Sequence, residues 1–245
     1  PITTYLDTIQ VQNLLQSALG YAEELAVSLY GCYQKAVTIY NLPSAFMVSL
    51  TACIVPAVSA ALTKKDKVGA GKIAESALRV GAMLALPAGI GLTVLAGPII
   101  QLLYPETNQE VGTQCLMVLG IASIFVCIML LCNAILQANG RTALPIWFIA
   151  IGSAIKLGVN FVLVQMPSVG IKGAPVGTLV CFGVVSVLEL AAIKRVTPHP
   201  PKYLRVFGKA AVAAVLMGAA AWASYGLLSG HFGNTLSVTT AILVG

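Results

Sequence analysis

The chain has 245 residues, of which 9% are charged and 58% are apolar, and its mean hydropathy is +0.91. Soluble domains carry about a quarter charged residues, so this composition excludes a soluble globular protein. Apolar runs of about 20 residues recur, long enough to cross a bilayer as helices. The sequence therefore predicts an all-α, polytopic transmembrane helix bundle. The net charge of +6 is explained below by membrane orientation and predicts no nucleic-acid partner.

The predicted segments fall into three parts. Residues 1–37 contain a partial transmembrane helix, PITTYLDTIQVQNLLQSALG, followed by an outer loop. Residues 38–228 contain six complete spans with a basic cytoplasmic loop at 63–79, and residues 229–245 form an outer loop and the start of a further span. Because the chain opens inside a helical stretch and closes on an apolar run that has barely begun, we expect a partial helix at each end and further chain upstream. The spans are predicted at 38–62, 80–104, 111–138, 142–166, 173–193 and 210–228.

Basic residues occupy alternate loops of this pattern. They concentrate in TKKDKVGAGKIAESALR, NGRT and KRVTPHPPKYLRVFGK, whereas the intervening loops are acidic or nearly neutral. By the positive-inside rule the basic loops are cytoplasmic. The sequence thus predicts a multi-pass protein of the cell membrane.

Cysteine usage predicts neither a disulfide nor a metal site. Within lipid a cysteine behaves as a small apolar residue, and the spacing matches no metal motif. Five of the six cysteines lie inside predicted spans, namely Cys53, Cys115, Cys127, Cys132 and Cys181.

Lys156 is the most informative residue. It is the one charge between Arg141 and Lys172, and it lies about 20 Å along its span, too far from either face to reach water easily. A lysine facing lipid there costs at least about 2.5–3.5 kcal/mol. We therefore expect Lys156 to face the bundle interior, on one helical face with Ser153 and Asn160.

Two other stretches are predicted to face this lysine. The opening segment carries Asp7 among several polar residues, and Asp7 is the expected ionic partner of Lys156. In GAPVGTLVC, Gly173 and Gly177 allow close helix approach and Thr178 offers a hydroxyl. Three interpretations remain: a cavity site for substrate or ion coupling, a structural ion pair, and a misplaced span.

Glu189 is the one charged residue in the predicted span 173–193. It lies about one helical turn from Lys194 and Arg195 at the cytoplasmic end of its span. We therefore expect a surface carboxylate paired with these two cations rather than a proton site.

Two segments carry a family resemblance. PSAFMVSLTACIVPAVSAALTKKD resembles a span end and basic loop of prokaryotic polysaccharide flippases and stage V sporulation protein B. NAILQANGRTALPIWFIAIGSAIKLGVNFVLVQMPSVGIKGAPVGT is similar to consecutive elements of the same family: a helix end, a basic turn, a span with lysine and asparagine, and a Gly-Ala-x-x-Gly-Thr helix start. The chain is thus identified as similar to flippases of the multidrug/oligosaccharidyl-lipid/polysaccharide (MOP, MATE-like) exporter superfamily.

The resemblance implies a MATE-like transporter of fourteen helices in two lobes around a central cavity. This chain would form the second lobe, from most of helix seven to the start of helix fourteen, and its partner would be the first lobe of the same protein. Related lipid II flippases bind a cation in the second lobe, and a lysine in that set would repel sodium and could replace it. The matching positions here are Asp7, Lys156, Asn160, Ala174 and Thr178.

The function that the resemblance implies is that of an alternating-access flippase. It would move a lipid-linked oligosaccharide or peptidoglycan precursor, a polyprenyl-pyrophosphate-linked sugar, from the inner to the outer leaflet of a bacterial membrane. No cofactor or catalytic residue is expected, and transport could couple to a proton gradient, a sodium gradient or the membrane potential. The alternatives are a cation-coupled multidrug exporter of the same superfamily, a polyprenyl-phosphate-processing membrane enzyme, and a passive membrane scaffold.

Overall fold

Seven α-helices and one 3₁₀ turn, together with the helical residues 8–11 and 13–14, make up the described part of the fold. The computed structural model describes residues 8–11, 13–14, 22–166, 169–197 and 203–228, except for the side chains of 203–205 and 225–228. The helices are α1 (Glu23–Thr63), α2 (Lys67–Val94), α3 (Ala96–Leu103), α4 (Gln109–Ala138), α5 (Ala143–Val164), α6 (Gly173–Val196) and α7 (Tyr203–Leu228), with the 3₁₀ turn at Gly170–Lys172 before α6. No strand occurs in these residues, so the predicted all-α class is confirmed.

Six helices are long and apolar enough to cross a membrane in the described ranges: α1, α2, α4, α5, α6 and α7. Each overlaps one of the six spans predicted from hydropathy, but the predicted span 80–104 is divided at Leu95 between α2 and the short helix α3. The connections lie at two ends of the bundle: Ser59 lies beside Ala138 at one end, whereas Lys35 contacts Thr107 and Lys172 contacts Glu110 at the other. We call the end with the turns 64–66 and 139–142 the basic end, and the end with the turns 104–108 and 165–172 the opposite end.

Helix α1 begins earlier than the span predicted at 38–62. Residues 23–37, expected in an outer loop, form the first part of this 41-residue helix. Two acidic residues in the first turn, Glu23 and Glu24, stabilise the start of the helix through its dipole. At about 60 Å, α1 is about twice as long as the hydrocarbon layer is thick. The charged residue Lys35 therefore marks the expected membrane boundary, but the helix continues past it.

The basic segment at 63–79 is also mostly helical. Only residues 64–66 lie outside a helix, and α2 starts at Lys67. The Asp66 side chain caps α2 by accepting a hydrogen bond of 2.8 Å from the Gly69 backbone N–H. A side chain that caps the first turn satisfies a backbone donor that the helix leaves free. The predicted cytoplasmic loop is therefore a three-residue turn followed by the first turns of α2.

Both turns at the basic end close a helix in the same way. After α4, the Gly140 N–H bonds to Gln137 O at 2.9 Å and the Arg141 N–H to Leu136 O at 3.0 Å. This Schellman pattern requires a left-handed residue, and Gly140 has a φ of 73°. After α1 the same two bonds form around Lys65, which has a φ of 58°. A side chain in that conformation costs about 1 kcal/mol.

We expect Lys65→Gly to stabilise the protein, because glycine adopts a left-handed conformation without steric cost. The expected gain is about 1 kcal/mol, measured as a higher melting temperature in detergent. The matched control is Lys64→Gly, where φ is −76° and the substitution should give no gain. Equal effects of the two substitutions would contradict the explanation.

Helix α4 lies at the centre of the bundle. It packs against α1, α2 and α6, while α5 packs on α6 and α7 packs on α2. Two clusters of buried apolar residues lie along α4, one around Leu116 and Leu119 and the other around Leu131, Ile135 and Leu136. Consequently α5, the helix that carries Lys156, lies at one edge of the bundle.

Candidate functional site

A cavity of about 230 Å³ lies between α1, α5 and α6. Each helix contributes residues spaced three or four apart, which is the spacing of one helical face. The lining residues are Tyr33, Gln34, Val37, Tyr40 and Asn41 from α1, Ile149, Ser153 and Lys156 from α5, and Thr178, Cys181, Phe182 and Val185 from α6.

Lys156 stands on the wall of this cavity. It is the one charged side chain among the described residues that line it. Thirteen residues separate it from the start of α5 and eight from the end, which places it about 20 Å and 12 Å from the two ends of the helix. The cavity therefore presents a cation well inside the membrane-spanning part of the bundle, where its field is weakly screened.

Ser153 and Thr178 lie in the same cavity. The Thr178 hydroxyl donates to the backbone oxygen of Ala174 at 3.2 Å. It also lies 3.4 Å from the hydroxyl of Tyr33 on α1. Since the single hydroxyl hydrogen of Thr178 is used for Ala174, Tyr33 is the donor in the second bond. This contact connects the cavity faces of α1 and α6.

Asn160 lies one helical turn beyond Lys156 and is fully buried against α6. A Cβ placed on Gly177 would overlap the side-chain oxygen of Asn160 and would lie 3.5 Å from Lys156 Cγ. The absence of a side chain at Gly177 is thus what lets Asn160 and the stem of Lys156 pack on α6. Gly173 makes a similar approach to Leu163, which confirms the close helix contact predicted from the two glycines.

Asp7, the predicted partner of Lys156, lies outside the described residues. The helical stretch that follows it is fixed to the cavity helices by side-chain hydrogen bonds. Gln10 donates to the backbone oxygen of Leu157 on α5 at 2.9 Å, and the Thr8 hydroxyl bonds to the Tyr30 hydroxyl of α1 at 2.7 Å. The opening segment therefore borders both α5 and α1, as its polar composition suggested.

The polar wall that α1 contributes was not predicted from the sequence. Four polar residues line the cavity there: Tyr33, Gln34, Tyr40 and Asn41. They fell in or beside the region interpreted as an outer loop. Their spacing was a usable signal, because Tyr33 and Tyr40, like Gln34 and Asn41, are seven residues apart and so share a helical face.

The expectation for Glu189 is wrong. Its side chain has no exposed surface, and neither carboxylate oxygen has a hydrogen-bond partner in the part of the chain that the structure describes. At about 100° per residue, Lys194 and Arg195 point about 140° and 120° away from it around the helix. Both cations are exposed, while Glu189 faces α4.

The family model described as lipid II flippase MurJ matches residues 1–242 of the chain. The chain belongs to the MurJ family. The resemblance to MOP-type flippases seen in the sequence is thereby confirmed. With six apolar helices in its described residues, this member of the MurJ family is a multi-pass membrane protein.

Three curated relatives agree with the family assignment. The chain is 31% identical over 191 residues to the uncharacterized membrane protein YabM of Bacillus subtilis, covering 78% of this chain and 34% of the relative. It is 27% identical to stage V sporulation protein B of Bacillus subtilis, covering 80% and 38% respectively. It is 28% identical to the probable lipid II flippase MurJ of Rickettsia prowazekii, covering 73% and 35%. The chain thus spans little more than a third of the length of these relatives.

Two solved structures share the fold. The inward closed conformation of the lipid II flippase MurJ superposes with a TM-score of 0.74 at 17% identity, covering 99% of this chain and 50% of that structure. An inward-facing MATE family transporter of the MOP superfamily gives a TM-score of 0.58 at 17% identity, covering 96% and 56%. The chain therefore has the fold of about half of a MurJ or MATE transporter.

Proposed function

We propose that this chain forms the second lobe of an alternating-access flippase of the bacterial cell membrane. The complete protein would move a lipid-linked oligosaccharide or peptidoglycan precursor from the inner to the outer leaflet, as a transporter and not an enzyme. Membership of the MurJ family and the likeness to half of a solved MurJ support this proposal. A first lobe of the same protein would supply the facing wall of the cavity.

Lys156 on the cavity wall is the observation that carries the proposal. A polyprenyl-pyrophosphate sugar has a doubly charged diphosphate that needs cationic and hydrogen-bonding groups inside the membrane. Lys156 supplies a cation, and Ser153 and Thr178 add hydroxyls to the same cavity. A cation-coupled drug exporter would instead favour acids and aromatic residues over a lysine. The described lining includes Tyr33, Tyr40 and Phe182 but no acid, so the charge of the cavity, and not its aromatic content, favours the flippase.

We further propose that the Lys156 ammonium takes the place of the coupling cation. Asn160 packs beside the stem of Lys156, and Thr178 lies in the same cavity and bonds to Ala174 O, so four of the five positions suggested by the resemblance are neighbours. The fixed ammonium of Lys156 would repel a sodium ion bound in the same cavity. With Asp7 as its counter-charge, transport would couple to protons or to the membrane potential rather than to sodium. Sodium-dependent flipping with bound sodium would overturn this part.

The proposal is tested by reconstituting the full-length protein in proteoliposomes with a fluorescent polyprenyl-pyrophosphate sugar. We expect the outer-leaflet fraction of the probe to change at a rate well above that of protein-free vesicles, with imposed pH, sodium and voltage gradients applied one at a time. A fluorescent phosphatidylcholine serves as the control substrate. Movement of neither lipid, together with export of a cationic drug, would replace the flippase proposal with the multidrug exporter.

We also propose that the basic end is cytoplasmic, as the positive-inside rule requires. The test uses single cysteines at Lys64 and Lys172, at the two ends, in a variant whose native cysteines are replaced. In intact cells a membrane-impermeant thiol reagent should label Lys172→Cys, and should label Lys64→Cys only after permeabilisation. The reverse pattern would invert the topology.

A further inference from the structure

Glu189 lies in an apolar interface near the basic end of the bundle. It belongs to a stripe of α6 that includes Ser186 and Ile193, which are 1% and 0% exposed, and the Ser186 hydroxyl donates to Phe125 O of α4 at 2.8 Å. Ile193 joins the buried cluster that contains Cys132 and Ile135 of α4. The carboxyl is therefore enclosed by packed side chains about 10 Å before the end of α6.

None of the described residues around Glu189 places an opposite charge beside its carboxyl. Cys132 of α4, itself buried, is close enough to interact with Glu189 electrostatically. On α5, the residues nearest the basic end, 143–148, include no titratable group. On α7, Lys209 is exposed, and the side chain of Arg205 lies outside the described residues. Both oxygens of Glu189 lack a hydrogen-bond partner within the described ranges.

An ionised carboxylate is poorly tolerated in such a place, because it loses its hydration and gains no opposite charge. The neutral acid loses much less on burial. The closed packing of α4 on α6 is thus compatible with Glu189 carrying a proton. If the basic end opened to water, the same group would regain hydration and release that proton.

We propose that Glu189 is a proton-binding site that links closure of the α4–α6 interface at the basic end to uptake of one proton. The carboxylate takes a proton from water on the basic side to form the carboxylic acid as the interface closes, and returns it when the interface opens. The closed arrangement then binds one proton more than the open one, so lowering the pH favours closure and raising it favours opening. The inference rests on the proposed transport cycle for its purpose, but proton binding can be measured without transport.

The first measurement is an infrared pH titration of the full-length protein in lipid. Wild type should show the carbonyl band of a protonated carboxylic acid at neutral pH, and Glu189→Gln should lack it. The matched control is Glu75→Gln on α2, because Glu75 is partly exposed and pairs with Arg79 at 3.2 Å, so its removal should leave the acid band unchanged. An acid band that is the same in wild type and Glu189→Gln would overturn the proton site.

The second measurement tests the linkage to closure. Spin labels on the exposed positions Gln137 of α4 and Lys194 of α6 report the distance across the basic end. In wild type the population with a longer distance should grow as the pH rises, and in Glu189→Gln, which mimics the neutral acid, it should stay small at every pH. A pH-independent distance in wild type would overturn the linkage.

A second variant and readouts that do not depend on transport distinguish a wrong proposal from a failed experiment. Glu189→Met serves as a second neutral variant of similar volume should Glu189→Gln fold poorly. Because neither readout uses a transported lipid, a protein that flips no lipid but shows the acid band and the pH-dependent distance would refute the proposed function while supporting the proton site.

Discussion

Replacing Lys156 with methionine should slow flipping of a polyprenyl-pyrophosphate sugar by about 10- to 100-fold, which corresponds to the loss of one charge-assisted contact. Methionine keeps the length and apolar stem of lysine but removes the charge from the cavity wall. The measurement is the initial flipping rate at matched reconstitution of the full-length protein. Lys156→Arg keeps the charge and should retain more activity than Lys156→Met.

Lys172→Met is the matched control for this prediction. Lys172 lies at the opposite end and pairs with Glu110 at 3.3 Å on the surface, and such pairs contribute about 0–1 kcal/mol. The flipping rate of Lys172→Met should therefore equal that of wild type. Normal flipping by Lys156→Met would show that transport does not need the charge of Lys156.

The structural ion pair with Asp7 predicts a different result from the cavity site. If Lys156 serves to hold helices together, Lys156→Met should lower the melting temperature, and replacing both Lys156 and Asp7 with neutral residues should restore it. If Lys156 serves transport, the folded protein should keep its melting temperature yet fail to flip. Measuring stability and flipping on the same preparations separates the two explanations.

Replacing Gly177 with valine should destabilise the bundle by about 1–3 kcal/mol, the usual cost of overpacking a close contact. The new side chain would collide with Asn160 and press on the stem of Lys156. Because Asn160 is buried, α5 must shift away from α6, which distorts the cavity. We expect a melting temperature several degrees lower in detergent, with reduced flipping by the fraction that folds.

Gly183→Val is the control on the same helix. A Cβ at Gly183 meets no described atom within 4 Å, so valine there adds a side chain without a collision. This variant should keep both the melting temperature and the flipping rate of wild type. Equal destabilisation by the two substitutions would mean that helix flexibility, and not the contact with Asn160, explains the effect.

Segment boundaries show where sequence reasoning was sufficient and where it failed. The six spans were predictable, because each must present about 20 apolar residues to the hydrocarbon. The start of α1 was not, since hydropathy locates the membrane boundary whereas helix length depends on backbone hydrogen bonds that continue past it. Because the helix was predicted to start too late, the polar wall around Tyr33 and Tyr40 was not predicted either.

The two buried charges show the same contrast. Lys156 could be recognised from the sequence alone, because its distance from both ends of the span leaves no route to water except through the bundle interior. The burial of Glu189 could not be recognised in the same way, because its spacing of five and six residues from Lys194 and Arg195 excludes a pair on one helical face but does not show what covers the carboxyl. Its burial depends on which face of α6 packs on α4.

The sequence by itself determined that this is a polytopic helical membrane protein, which apolar runs lie in the membrane, and that Lys156 belongs to a polar stripe. Each follows from the cost of placing polar groups in hydrocarbon, which acts on every residue independently of its neighbours. Only the tertiary structure decided that α1 contributes tyrosines to the cavity, that Gly177 accommodates Asn160, and that Glu189 is enclosed. These depend on the rotation of each helix about its axis, which is set by packing against other helices and not by the local sequence.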